Sequence, residues 1–339
     1  LTIRHPVISI STNKIHFLCP EMSEKREQLL QQLEEKFSAS GQDLDTHLEG
    51  LLHANYINYW DYIKTDALLS LQQQRTQYPD EMVFIMYHQV NELLFKMMLW
   101  EIEQVSKKEE LTVDFFAEKL YRVSRYVDVL ASSFEVMGDG MSMEQYQKFR
   151  HTLTPASGFQ SAQYRKIEFA STELINLIDN RFRTTINRDT PYSHAFEHLY
   201  WQAAGKDHRT GNKNMLLSNF ELKYRKDFIR FMKKYNTTNL WTRFKSLPED
   251  QRNDTKLLNA MRHYDHTMNV RWVMAHYNAA GKYLAKPDGT VEEATGGSDW
   301  RKYMLPRYQK RIFFPDLWSQ EELDDWGIGN LESYRILED

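Results

Sequence analysis

A phenol and a guanidinium stand four residues apart at the start of YQKFRHTLTPASGFQSAQYR, residues 146–165. On a helix, positions i and i+4 share a face, so Tyr146 and Arg150 would set a planar cationic fork beside an aromatic wall. That pairing suits a ligand with a carboxylate and an aromatic or apolar body. After it, the run Leu153-Thr-Pro-Ala-Ser-Gly-Phe-Gln interrupts the helix, because Pro155 brings no amide hydrogen and Gly158 permits close backbone approach. Thr154 and Ser157 are the expected caps of the helix that follows. Taken alone, the segment reads equally well as a helical hairpin carrying a surface ion pair.

Histidines supply the other candidate chemistry. His88 lies in PDEMVFIMYHQVNELLFKMMLWEIEQVSKK, with Phe84 one turn ahead on the same face. In so apolar a helix an imidazole needs a partner, either a neighbouring helix or a ligand. Gln89 and Glu92 fall on other faces and are expected to make structural bonds. His276 sits in RWVMAHYNAAGKYL, and His263 and His266 of RHYDH compete with it as polar-face residues of the same segment. HAFEH, residues 194–198, fits the pattern H-x-x-E-H, in which His194 and His198 bind zinc and Glu197 serves as general base of a hydrolase. The bland alternative is a solvated or interfacial helix face.

Long helices must position these groups. Of 339 residues only 13 are Gly and 9 Pro, and 41% are hydrophobic against 27% charged, the balance of a globular chain poor in turns. Spacing predicts helices over 21–40, 56–74, 80–108, 111–137, 141–152, 158–179, 191–202, 215–235, 250–285, 300–312 and 319–326, with residues 1–20 irregular. No strand alternation links them, so the expected fold class is all-α. The helix over 80–108 is apolar on nearly every face and should be central.

A formal net charge of −4, from 43 Lys and Arg against 47 Asp and Glu, gives no basic field for nucleic acid. No apolar run reaches the roughly 18 residues of a membrane span. The start LTIRHPVISI has no secretory pattern and Cys19 is the single cysteine, so a cytoplasmic protein without a disulfide framework is expected.

Four blocks, in order, resemble the tryptophan 2,3-dioxygenase family and span residues 56 to 318 around a divergent middle. They are the Y-x-x-Y pair Tyr59 and Tyr62, the HQxxELLFK context of His88, the FR and PASGFQS elements of the opening segment, and the block around His276 followed by ATGGSDW. The resemblance implies a helical bundle of the haem-dependent indole dioxygenase type with an irregular N-terminal arm. Residues 1–55 would be that arm and a helix, and residues 56–339 one α-helical haem-binding catalytic domain.

It further implies haem b with His276 as axial iron ligand, and oxidative cleavage of the indole C2–C3 bond of L-tryptophan by O2 to N-formylkynurenine. Phe84 would pack on the indole and His88 accept its N–H. Arg150 would hold the carboxylate and Thr295 the ammonium, with Tyr146 and Leu153 shaping the slot. Ser157, Gly158, Trp272 and Gly296 would border the cofactor. Tyr59 and Tyr62 would enter a neighbouring subunit of a homotetramer.

The sequence departs from the family around Thr295: Ala294 replaces a glycine, Asp299 replaces a serine, and extra residues lengthen the loop. That leaves room for a haem oxygenase acting on another indole or a tyrosine derivative, or for a non-catalytic haem sensor. Cys19-Pro20 is either a haem-responsive thiolate or a thiol packed in an apolar loop.

Overall fold

A computed structural model describes residues 20–153, 160–207, 209–284, 305–307 and 310–328. Cys19, Thr154, Ser157, Gly158, Thr295 and Gly296 lie outside the described residues. Those that are described fall into two compact units, divided between Leu71 and Gln72.

The first unit contains α1 (Pro20–Ala39), α2 (Leu44–His53), α3 (Tyr59–Ile63) and α4 (Thr65–Leu68). Asp43 caps α2 through the Thr46 amide. The single helix expected over 56–74 is broken: Lys64 adopts left-handed φ 56° between α3 and α4. Neither short helix buries a residue, so no packed face sustains a longer one.

The second unit is built on α5 (Asp80–Lys107), which begins with Asp80 and Glu81 and ends with Lys107, matching the helix dipole. Its C-terminal half buries Phe95, Met98, Ile102 and Val105. These pack against α6 (Val113–Ser132), whose Phe116, Leu120, Val123, Val127 and Leu130 recur at helical spacing. A buried ion pair, Lys119 Nζ to Glu101 at 2.8 Å, crosses the same seam. α5 is less enclosed than its composition suggests. Met86, Val90, Leu93, Met97 and Trp100 form an apolar stripe exposed on this chain.

Helix α6 stops at Ser133 and is followed by α7 (Phe134–Gly138), then α8 (Met143–Phe149) and a 3-10 turn, Arg150–Leu153. α9 (Ala162–Ser171) is capped by Ser161 and ends well before 179. The reason is tertiary: Thr172 is extended, and its hydroxyl donates to the Phe313 carbonyl. The helix expected over 191–202 is likewise divided into α10 (Tyr192–Phe196) and a 3-10 turn Tyr200–Gly205, because Leu199 is drawn into a bridge with Ile178. That bridge and one between Lys206 and Lys213 are isolated, and no strand occurs among the described residues.

Beyond lie α11 (Met215–Tyr235), α12 (Leu240–Lys245), α13 (Glu249–Arg252), α14 (Thr255–His266) and α15 (Trp272–Leu284), the last two joined by a π-helical turn, Thr267–Arg271. The described part of 300–312 is not helical; residues 310–318 run against α14 instead. A short helix, Gln320–Asp324, closes with a capping box from Ser319 and Glu322. No helix among the described residues is long and apolar enough to cross a membrane.

The N-terminus of α5 is fixed by Glu81, which is 1% exposed and accepts from the Thr76 hydroxyl (2.6 Å) and the amides of Arg75 (3.0 Å) and Thr76 (2.7 Å). Burial alone would raise this carboxyl, but the three donors outweigh it and hold it below 4.5. Stability from the clamp is therefore complete above pH 4.5 and is lost as pH falls through the lower folded value. Glu81→Gln should cost on the order of 1–3 kcal/mol at neutral pH. Denaturant titrations should also show a flatter acid decline; an unchanged decline would remove Glu81 as its source.

Candidate active site

Phe84 and His88 occupy one face of α5 with ring centroids 4.2 Å apart. His88 Nδ1 lies 2.7 Å from the Phe84 carbonyl, a contact only N–H can make, so Nδ1 carries the proton and Nε2 keeps a lone pair. The ring stays exposed to solvent, and yet burial among protein atoms lowers its pKa. Glu92, one turn on, opposes that shift, while its carboxylate accepts from Ser161 (2.6 Å) and Gln163 (2.8 Å), and Gln89 accepts from Gln72.

Tyr146 and Phe149 of α8 stand 6.2 and 5.7 Å from Phe84, and Tyr283 of α15 lies 4.7 Å from Tyr146. The Tyr283 hydroxyl donates to the carbonyls of Met137 and Met141, and Gln147 donates to its carbonyl, tying α15 to α7 and α8. Arg150 opens the 3-10 turn, 4% exposed, with Nη1 3.3 Å from Gln147 Oε1. It is close enough to Tyr146 to oppose the rise that burial imposes on that phenol. Leu153, half-buried, ends the same turn.

His276 stands on α15 with Phe134 stacked on it at 5.2 Å and 12°, and Trp272 at 5.8 Å. Burial first, then the nearby His88, lower its pKa to about 4, so it is neutral at ordinary pH. It makes no hydrogen bond to any described residue. Trp272 stacks on Tyr164 at 4.9 Å, and its Nε1 is buried without a hydrogen-bond partner among the described residues. Tyr87 bridges the two histidine regions, 5.5 Å from His88 and 5.9 Å from Phe134.

The structure thus gathers Phe84, His88, Tyr146, Arg150, Trp272 and His276 within one unit. Tyr59 and Tyr62 belong to the other unit and are each 73% exposed. Sequence reasoning missed Tyr87, Phe134, Phe149 and Tyr283. Of these, only Tyr87 and Phe149, each adjacent to a residue already singled out, carried a signal.

Two expectations are corrected. His266 is not on a polar face; it is 3% exposed, with its ring edge-on to Trp326 at 6.1 Å. HAFEH belongs to no metal-holding group among the described residues. α10 ends at Phe196, and Glu197 is engaged by Lys213 (2.6 Å), Arg225 (3.2 Å) and Lys206 (3.6 Å), which hold its pKa below the ordinary value against burial. A carboxylate so neutralised is no general base. Among the described residues no group of three or more His, Cys, Asp or Glu could hold a metal ion.

What remains is an aromatic cluster with one imidazole acceptor, a buried guanidinium beside it, and a second neutral imidazole with its lone pair available; opened into a slot, it can orient a flat apolar ring bearing one N–H and a carboxylate.

Residues 48–286 match the family described as Tryptophan 2,3-dioxygenase. A protein named tryptophan 2,3-dioxygenase from Bacillus thuringiensis subsp. konkukian is 26% identical over 291 residues, covering 80% of this chain and 95% of that protein. Proteins of the same name from Ruegeria sp. and Polaromonas naphthalenivorans are 40% and 41% identical over 118 and 117 residues. Those two alignments take in 34% of this chain, which spans only 42% and 40% of the lengths of those relatives. With the family match running from α2 through α15 and enclosing His88, Arg150 and His276, the chain belongs to the tryptophan 2,3-dioxygenase family.

Proposed function

We propose that this chain is a haem-dependent dioxygenase that opens the indole C2–C3 bond of L-tryptophan with O2, giving N-formylkynurenine. The observation that carries it is the pairing of two neutral imidazoles, His88 and His276, within each other's electrostatic reach behind aromatic walls, with Arg150 buried beside Tyr146.

The residues fit a haem. An axial ligand needs an unprotonated nitrogen on a rigid element, and His276 has a pKa near 4 and no hydrogen bond to any described residue. Trp272, one turn ahead, keeps an unspent buried donor of the kind a carboxylate-bearing cofactor takes up. When bound, haem b supplies the activation of O2 and its insertion across the indole double bond.

The chain's own residues do the orienting. His88 Nε2 accepts the indole N–H, a role its neutral tautomer suits. Phe84 and Tyr146 flank the ring, Arg150 takes the carboxylate through its planar fork, and Leu153 closes the slot. The ammonium falls to Thr295, and Ser157, Gly158 and Gly296 border the cofactor. The exposure of Tyr59, Tyr62 and the apolar stripe of α5 supports self-association, with those tyrosines entering a neighbouring subunit's pocket in a homotetramer.

Arg150→Ala should lower kcat/KM for L-tryptophan by at least about 30-fold, mostly through KM, with Arg150→Lys in between because an ammonium loses the fork. Wild-type turnover by Arg150→Ala would sink the assignment of the carboxylate. Metal analysis of the purified chain should find iron and a Soret band, both lost in His276→Ala. Zinc in place of iron, with no Soret band after haem addition, would overturn the cofactor.

A further inference from the structure

The long segment carrying His276 is not one continuous α-helix. Between α14 and α15 the Trp272 amide bonds the Thr267 carbonyl, five residues back, so Thr267–Arg271 forms a π-helical turn. Such a turn inserts one residue relative to an α-helix and often marks a functional site. One residue is worth about 100° of rotation and about 1.5 Å of rise. If the turn relaxed to α geometry, His276 would swing by that angle away from Phe134 and from the side facing His88.

Something must hold the wider turn, because it trades good i+4 bonds for poorer ones. Thr267, Met268, Asn269 and Val270 are all buried, so water cannot satisfy the groups it loosens. Arg311 does so: its Nε donates to Asn269 Oδ1 and its Nη2 lies 3.3 Å from the Met268 carbonyl. Asn269 in turn donates to Asp265 at 2.6 Å, in the last turn of α14. Asp265 accepts the amides of Phe313 (2.9 Å) and Phe314 (3.0 Å), immediately after Arg311. The last turn of α14 and the middle of the π-helical turn are therefore tied to one short stretch of chain beyond residue 286, where the family match ends.

We infer that Asn269 and Arg311 are positioning residues for His276: they lock the π-helical turn, and through it the direction in which the imidazole faces the reaction site. This rests on the haem reading above for its consequence in activity. It does not rest on that reading for the state of the turn itself. Arg311 also pairs with Glu168 at 2.8 Å, and the two roles can be separated. Arg311→Lys keeps a charge for Glu168 and loses the fork that reaches both Asn269 and Met268. Glu168→Gln does the reverse.

The full chain is compared as purified and after haem addition. Amide hydrogen exchange in peptides covering 267–276 should rise about tenfold in Arg311→Lys and in the milder Asn269→Ser, with α6 unchanged, while Glu168→Gln leaves that stretch at wild-type rates. Haem-loaded Arg311→Lys and Asn269→Ser should bind haem about 10-fold more weakly or worse, and should shift or split the ferrous iron–histidine stretching band in resonance Raman spectra. Glu168→Gln should keep the wild-type band even where its Tm is lower. Wild-type exchange and band in Asn269→Ser would overturn the inference. A wild-type chain that takes up no haem would overturn the proposed function, and the exchange measurement would still decide the turn.

Discussion

The seam between α5 and α6 is the interaction on which the remainder of the second unit depends. Each large apolar side chain that it buries contributes about 1.5–3 kcal/mol, and Phe95, Met98, Ile102 and Val105 all lie on the C-terminal half of α5. That division of labour frees the N-terminal half to carry Phe84 and His88. Because both halves belong to one helix, gripped at one end by α6 and at the other by the Glu81 clamp, these two side chains acquire fixed directions. The same seam fixes α15, which packs against α6, α7 and α8.

Around the candidate site, charge is distributed unevenly and to a purpose. The two histidines are kept neutral by desolvation, whereas the Arg150 guanidinium lies close to a phenol. A neutral imidazole accepts an N–H or donates a lone pair, and a guanidinium does neither. Behind Trp272 and Tyr164 lies the opposite case, Arg165 and Arg311 sharing the single carboxylate of Glu168 at 2.9 and 2.8 Å, with Tyr200 between them. Arg165, Glu168 and Arg311 are all buried, so the cluster resists displacement: removing one partner would leave another uncompensated in a dry interior.

Much of this was legible in the sequence, where local pattern and local structure coincide. α5, α6 and α11 follow their apolar periods closely, and Tyr146 and Arg150, four residues apart, lie close to each other as their spacing suggests. Illegible features were those decided by distant partners. α9 ends at Ser171 because Thr172 turns to Phe313, 141 residues later, and the break at Leu199 depends on Ile178. His266 looked polar among RHYDH, but Trp326 from the far end of the chain covers it. Tyr283 and Phe134 gave no motif because their part is to be aromatic in the right place, which many residues in a chain with 18 Phe and 19 Tyr could claim.

Asp265 has a kinetic consequence. Its carboxylate is buried among donors that come almost entirely from later in the chain: Phe313 48 residues on, Phe314 49, Trp318 53, with Asn269 alone nearby. Before that stretch arrives, the carboxyl in the last turn of α14 has only Asn269 for a donor, so α14 must stay open to water there. α14 therefore closes around Asp265 only after residues 313–318 have been made. The turn that leads into His276 is thus completed by residues made after it.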